Sequence, residues 1–378
     1  MSRTVPGPAI RMMKANMSET SFREIGSNDG GNSNSRSRVF DPGRRRFLKT
    51  SLAGAITAAF FPATGWARDG GRGLPKRTPE ASAVYRRLYG PQAAITIPFK
   101  ANDEIDYEAL RKWTDFICDN EDPPILFFTY GDGEIDVLTE EEIARVNLTV
   151  SRQAEGRALV VGATGPWWTG RMVDFIKRME DGGLEAINLH FSHRIRREDQ
   201  LLSAYERIAD ETSIPLLIYD DDQLPTGTIV RLAGVPQVAG VKSHASLYAF
   251  YEQVRRTRDA EFAVLGAGQM KQFLYGGQVG SPGYLCPIAP VAPRVSMRFY
   301  RAVEKRDWDT ARAIVVDYEE PLLEATIPLR YPQAYKAMLY LAGHYPTHRV
   351  RPPRITPSVE ALEDLRNFLQ SRQIIGES

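Results

Sequence analysis

The sequence predicts an α/β chain in which a closed (β/α)8 barrel over residues 93–305 is followed by a C-terminal helical extension over 306–378. Three observations lead there. Eight short apolar runs alternate with longer amphipathic stretches, as parallel strands joined by helices do. Of 378 residues, 43% are hydrophobic and 25% charged, which suits one large core. Polar residues gather beside the apolar runs, where a barrel of this kind carries its site. An open doubly wound sheet is the less economical use of the same elements.

The first 67 residues stand apart. Residues 18–43 are rich in Ser, Asn, Gly and Arg, so a disordered leader is expected. Then Gly43-Arg44-Arg45-Arg46-Phe47-Leu48-Lys49, the apolar stretch 51–61 and Gly65-Trp66-Ala67 follow in order. Basic, apolar and small-residue segments in that sequence read as an export signal. The arginine pair before Phe-Leu-Lys resembles the twin-arginine type. That implies the Tat export machinery as a partner, a periplasmic protein and a mature start near Arg68. Residues 68–92 are read as a linker or N-terminal segment.

The strands are expected at 93–98, 125–128, 158–162, 186–190, 215–219, 238–242, 262–266 and 280–285. Between them, residues 107–119 carry Leu110, Trp113, Phe116 and Ile117 on one helical face. Thr139 with Glu142 forms a capping box. Met172, Phe175, Ile176 and Met179 make another apolar face, as do Leu201, Leu202, Tyr205 and Ile208. Helical stretches at 308–325, 332–342 and 357–371 are too few for a separate domain and should pack on the barrel.

Charge and cysteine content remove several functions. Lys plus Arg is 48 against 47 acidic residues, a net charge of +1, so no basic excess exists to hold a nucleic acid. Two cysteines, Cys118 and Cys286, exclude a disulfide framework and a Cys-rich zinc site. No uncharged apolar run reaches the ~18 residues of a membrane span.

Strand two runs into Thr129-Tyr-Gly-Asp-Gly-Glu134, strand four into His190-Phe-Ser-His193 and strand five into Tyr219-Asp-Asp-Asp222. Strand six ends in Val241-Lys242-Ser243-His244, strand seven in Gly266-Ala-Gly268 and strand eight in Ser281-Pro-Gly283. Lys242 closes an otherwise apolar run. A lysine at such a mouth has its ammonium disfavoured, which frees the amine to attack a carbonyl. Tyr219, on the neighbouring strand, would move protons at the resulting imine. A solvated strand-end lysine and a core tyrosine are the bland alternatives, about even on spacing alone.

Other groupings are weaker. Asp220-Asp221-Asp222 beside His190 or His193 offers oxygen and imidazole to a cation, but lacks a ligand spacing such as His-x-His, so no metal is assigned. Trp167-Trp168 could line a pocket or cap the barrel. Gly266-Ala-Gly268 lacks the third glycine of a dinucleotide fingerprint, and no cofactor is expected. His244 could tune the Lys242 amine or lie on the surface.

These motifs together resemble the dihydrodipicolinate synthase/N-acetylneuraminate lyase family of Schiff-base barrels, from about Ala93 to Leu369. The resemblance is carried by Ala94-Ile-Thr-Ile-Pro-Phe99 with Ile105-Asp106, and by Gly133-Glu134 before Leu138-Thr-Glu-Glu-Glu142. Ile214-Pro-Leu-Leu-Ile-Tyr219, Val238-Ala-Gly-Val-Lys-Ser243, the glycine-rich strand-eight loop and Arg349-Val-Arg-Pro-Pro353 complete it. It implies that Lys242 forms the imine, that Tyr219 is essential, and that the protein is a homo-oligomer. Gly131, Asp132 and Pro282 are implied as substrate-binding residues.

Three departures bear on the reaction. The family's carboxylate-binding loop reads Gly-Thr-Thr-Gly-Glu or Gly-Ser-Thr-Gly-Glu, where this chain has Tyr130-Gly131-Asp132-Gly133-Glu134. Asp132 thus replaces a hydroxyl, and His193 stands near the position of a subunit-crossing tyrosine, so both are candidates for a modified relay. The family's substrate-binding arginine after strand five has no clear counterpart. The expectation is an exported lyase or hydro-lyase acting on a 2-keto acid or related small carbonyl compound, and not dihydrodipicolinate synthase itself. A non-catalytic ligand-binding barrel and a metal-dependent barrel lyase are the alternatives.

Overall fold

The computed structural model describes residues 73–376 except Pro123, Arg196 and residues 221–223. The segment read as an export signal, Asp221 and Asp222 therefore lie outside the described residues. Among those described, eight parallel strands close a barrel in sequence order, β1 pairing with β8. They are β1 (Gly90–Ala94), β2 (Ile125–Phe127), β3 (Leu159–Ala163), β4 (Ala186–Leu189), β5 (Leu216–Asp220), β6 (Val238–Ser243), β7 (Ala263–Gly266) and β8 (Gly283–Leu285). The expected barrel is present.

Helix α1 (Pro79–Tyr85) precedes β1. Its Ala81 and Val84, with Leu88, join Ala94, Phe127, Val161, Leu217 and Leu265 in one buried cluster. The segment read as a linker is therefore partly a plug in the barrel floor. Arg77 pins it, donating at 2.8 Å to the carbonyls of Val235 and Val238. The barrel also starts earlier than residue 93, because Gly90, Pro91 and Gln92 already pair with β8.

Helices α2 (Tyr107–Asn120), α3 (Glu140–Ala154), α4 (Thr169–Asp181), α5 (Glu198–Glu211), α6 (Thr226–Leu232), α7 (Leu247–Thr257), α8 (Met270–Val279) and α9 (Pro293–Glu304) follow their strands. Local chemistry starts several of them. Asp106 caps α2 through the Glu108 and Ala109 amides, each at 3.1 Å, and the Thr139–Glu142 capping box opens α3. The opposite faces of the strands bury Ile95, Val160, Ile187 and Val241 with Leu110, Trp113, Ile176 and Ile208 of the helices.

The C-terminal extension holds α10 (Trp308–Ile314), a π-helical turn (Val315–Glu319), α11 (Glu320–Thr326), α12 (Gln333–Leu341) and α13 (Glu363–Ser371). Glu319 of the π turn accepts hydrogen bonds from the backbone amides of Met270 and of Lys271, the latter at 2.9 Å. It fills the N-terminus of α8, whose own cap position, Gln269, makes no side-chain bond. Among the described residues, no helix is long and apolar enough to cross a membrane.

Candidate active site

The strand pairing decides the site. A register irregularity between Leu216 and Leu217 sets Tyr219 of β5 directly beside Lys242 of β6. Lys242 is buried, at 3% exposure. Its Nζ donates to the Tyr219 hydroxyl at 3.2 Å and lies 4.2 Å from the centre of that ring. His244 Nε2 is also 3.2 Å from the amine. His244 Nδ1 is 2.8 Å from the Asp220 carbonyl oxygen, which can only accept, so the ring's proton sits on Nδ1. In the neutral ring Nε2 then turns its lone pair to the lysine.

His190 forms the other wall. Its Nδ1 donates to the Thr164 carbonyl at 2.9 Å, and its ring meets Tyr219 edge-on at 4.2 Å between centroids. With Tyr130, Pro166, Phe191, Ser192, His193 and Tyr219 it lines a cavity of about 170 Å³. His193 thus lies in the site, on its exposed edge. From the loop after β3 the lining residue is Pro166; Trp167 packs on Phe175 at 5.0 Å and Trp168 is 67% exposed.

Asp132 is buried and accepts from Thr129 Oγ1 at 2.5 Å. Its loop depends on two glycines. A Cβ at Gly133 would stand 2.2 Å from the Phe128 ring, and one at Gly131 would stand 2.7 Å from the Tyr331 ring. Glu134 follows with φ 49°, in the left-handed region, and pairs with Lys336 of α12 where both are fully buried. The Arg349–Pro353 segment holds the same loop from outside. Arg351 donates to both Glu142 carboxylate oxygens and to the Val137 carbonyl, each within 2.9 Å. Several resemblance-bearing motifs are therefore scaffold.

Pro282 is a correction. It precedes β8, and its carbonyl accepts from Gly90 N at 3.0 Å and from the Tyr300 hydroxyl at 3.2 Å. That is the opposite end of the barrel from Lys242. Gly280, at φ 101°, ends α8 with a left-handed cap, so the Gly-Ser-Pro run is the approach to the strand and not its exit. Asp220 turns one carboxylate oxygen to the Leu224 amide at 2.8 Å. Among the described residues, no group of three or more His, Cys, Asp or Glu is placed to hold a metal ion.

Sequence reasoning treated His190 only as a cation ligand and did not single out Tyr130 as part of the site. It missed Tyr331 and Tyr335 altogether. Both are pushed well above the usual phenol range, first by burial and then by the Asp132 carboxylate. The only local hint was a glycine where Gly131 leaves room.

A closed barrel with a lysine–tyrosine pair at its strand ends defines an enzyme of the aldolase-like barrel class. The family model described as the dihydrodipicolinate synthetase family matches residues 88–372, and the chain belongs to that family. It is 29% identical over 303 residues to "Probable 5-dehydro-4-deoxyglucarate dehydratase 2" of Streptomyces coelicolor, covering 76% of this chain and 92% of that protein. It is 26% identical over 219 residues to 4-hydroxy-tetrahydrodipicolinate synthase of Staphylococcus haemolyticus, covering 56% and 74%. The crystal structure of dihydrodipicolinate synthase from Thermotoga maritima superposes with a TM-score of 0.69 at 22% identity, covering 76% of this chain and all of that one.

Proposed function

We propose that this protein is a Schiff-base-forming lyase or hydro-lyase acting on a 2-keto acid or related carbonyl compound. One observation carries the reading: the Lys242 amine stands between the Tyr219 hydroxyl and His244 Nε2, 3.2 Å from each, at the open end of the barrel. The amine adds to the substrate carbonyl. Both N–H protons then leave with the former carbonyl oxygen as water, giving an imine. The imine accepts an electron pair from a neighbouring C–C or C–H bond, so that an aldehyde or a β-hydroxyl can depart. Tyr219 transfers protons at these steps.

Asp132 argues against dihydrodipicolinate synthesis, which joins pyruvate to an aldehyde bearing its own carboxylate. Two unit charges 4 Å apart repel by ~4 kcal/mol at an effective dielectric of 20, about 10³ in affinity. Glu319 points the same way for phosphates. The end of α8 after β7, where barrels often hold a phosphate, is occupied by the chain's own carboxylate. A neutral or sugar-like partner suits the site better, consistent with the similarity to a probable 5-dehydro-4-deoxyglucarate dehydratase. Export to the periplasm through the Tat machinery, supported by residues 44–67, separates the protein from cytoplasmic lysine synthesis. Assembly into a homo-oligomer belongs to the same reading.

The test incubates the protein with pyruvate and a panel of 2-keto sugar acids, reduces with borohydride and maps the adduct by mass. The peptide containing Lys242 should gain the substrate's mass. No adduct with any compound would indicate a binding barrel without chemistry. Turnover without an adduct, lost on chelation, would indicate a metal-dependent lyase. For export, changing Arg44, Arg45 and Arg46 to lysine should trap the precursor in the cytoplasm; mature periplasmic protein from that variant would refute the signal.

A further inference from the structure

The strand-two loop and the C-terminal extension meet at Gly131. A Cβ built there would lie 2.7 Å from Cε1 of Tyr331 and 3.1 Å from its hydroxyl, so any larger residue would displace the tyrosine. Tyr331 stands between α11 and α12, with 49% of its surface open to solvent. Its hydroxyl end points inward, against Gly131 of the strand-two loop, where the adjoining Asp132 carboxylate acts on it electrostatically. Tyr335 braces its ring edge-on at 5.2 Å. The preceding residue, Arg330, has φ 62° and ψ 171°, a conformation that side chains rarely adopt and that tends to mark a functional constraint. Asp132 in turn is held by Thr129 Oγ1 at 2.5 Å.

We infer that Tyr331 is a positioning residue for imine formation, its hydroxyl end filling the space that Gly131 leaves and fixing the neighbouring Asp132 carboxylate at the site. The inference rests on the imine reading above. As nitrogen adds to the carbonyl, Tyr219 takes one N–H proton and gives its own to the former carbonyl oxygen, with the strand-two loop and Asp132 held in place by Tyr331. Tyr219 passes the second N–H proton to the resulting hydroxyl in the same way, and the hydroxyl leaves as water. No proton is gained or lost by the protein over the cycle. Tyr331, held well above the usual phenol range by burial and then by Asp132, keeps its O–H throughout.

The experiment follows the rate of borohydride-trappable imine with pyruvate as the probe, in the full chain. Tyr331→Phe should still label Lys242 to the same extent at saturation. Its rate constant should fall about 10²-fold, with the half-saturating pyruvate concentration and the thermal midpoint unchanged and the pH–rate profile shifted. Gly131→Ala keeps the hydroxyl but expels the ring, and should reproduce the loss. Wild-type protein that traps no pyruvate overturns the imine reading and this inference together. Wild-type trapping with both variants within about threefold of it overturns the role of Tyr331 alone. So does a loss that tracks a lowered thermal midpoint, since packing would then account for it.

Discussion

Lys242 and Lys336 are both buried, at 3% and 0% exposure, and the surroundings assign them different work. Lys336 faces the Glu134 carboxylate, lies 3.8 Å above the Phe99 ring and donates to the Arg349 carbonyl at 3.1 Å. Burial lowers it to about 8 while Glu134 opposes that shift; burial likewise raises Glu134. Each partner needs the other's charge, and together they tie the strand-two loop to α12. Among the described residues, Lys242 has a hydroxyl and an imidazole nitrogen at 3.2 Å. Neither is a fixed charge, and both exchange protons with an amine. A carboxylate neighbour makes a buried lysine a strut, whereas proton-exchanging neighbours suit it to forming a bond with carbon.

The largest effect expected from breaking this contrast is at Lys242. Lys242→Ala should abolish borohydride labelling and turnover while the protein still folds, as read by mass and circular dichroism. Labelling that moves to Lys336 would show that burial alone selects the reactive amine.

Lys336→Met should leave the buried Glu134 carboxylate with only the more distant Arg354, at 3.9 Å, and cost about 3 kcal/mol of stability in urea unfolding. The double variant with Glu134→Gln should recover most of that loss, and a double variant as unstable as the single would rule out the strut. The pH dependence sharpens the point. With a folded value of about 8 below the ordinary 10.5, Lys336 binds its proton more weakly folded than unfolded. Between those values the unfolded state holds more protons, so wild-type stability relative to Lys336→Met should rise from pH 8 to 10.5. A flat difference would remove the buried-ammonium account.

Tyr219→Phe should slow turnover about 10²-fold without altering stability, because the ring still packs against His190. Unchanged turnover would transfer the proton work to His244. The smallest effect lies on the scaffold side. Thr139→Ala removes half of a capping box and should cost about 1 kcal/mol. Imine labelling should be unaffected, because Glu142 stays held by Arg351.

The strands, the helical faces and the polar strand ends were legible because their periods are local. Ile125–Phe127 and Val238–Ser243 lie close to where their apolar runs put them. Strand one was read late because Gly90-Pro91-Gln92 is not apolar, although Gln92 is buried and in register with Leu285. Strand eight was read early because Ser281 and Pro282 resemble an exit loop from composition, and only chain direction in the closed barrel separates entry from exit. The Trp167-Trp168 pair attracted attention by size, yet Phe175 and solvent take its rings.

The sequence by itself determined the alternation of strand and helix and the placing of a lysine and a tyrosine at strand ends, because side-chain period and turn chemistry act over a few residues. Tertiary structure alone decided which groups face one another. The irregularity at Leu216–Leu217 sets Tyr219 beside Lys242. The fold of the extension brings Lys336 to Glu134 and Tyr331 to the space at Gly131. These partners lie far apart along the chain, and their meeting depends on barrel closure and on the packing of the C-terminal helices, which no local pattern encodes.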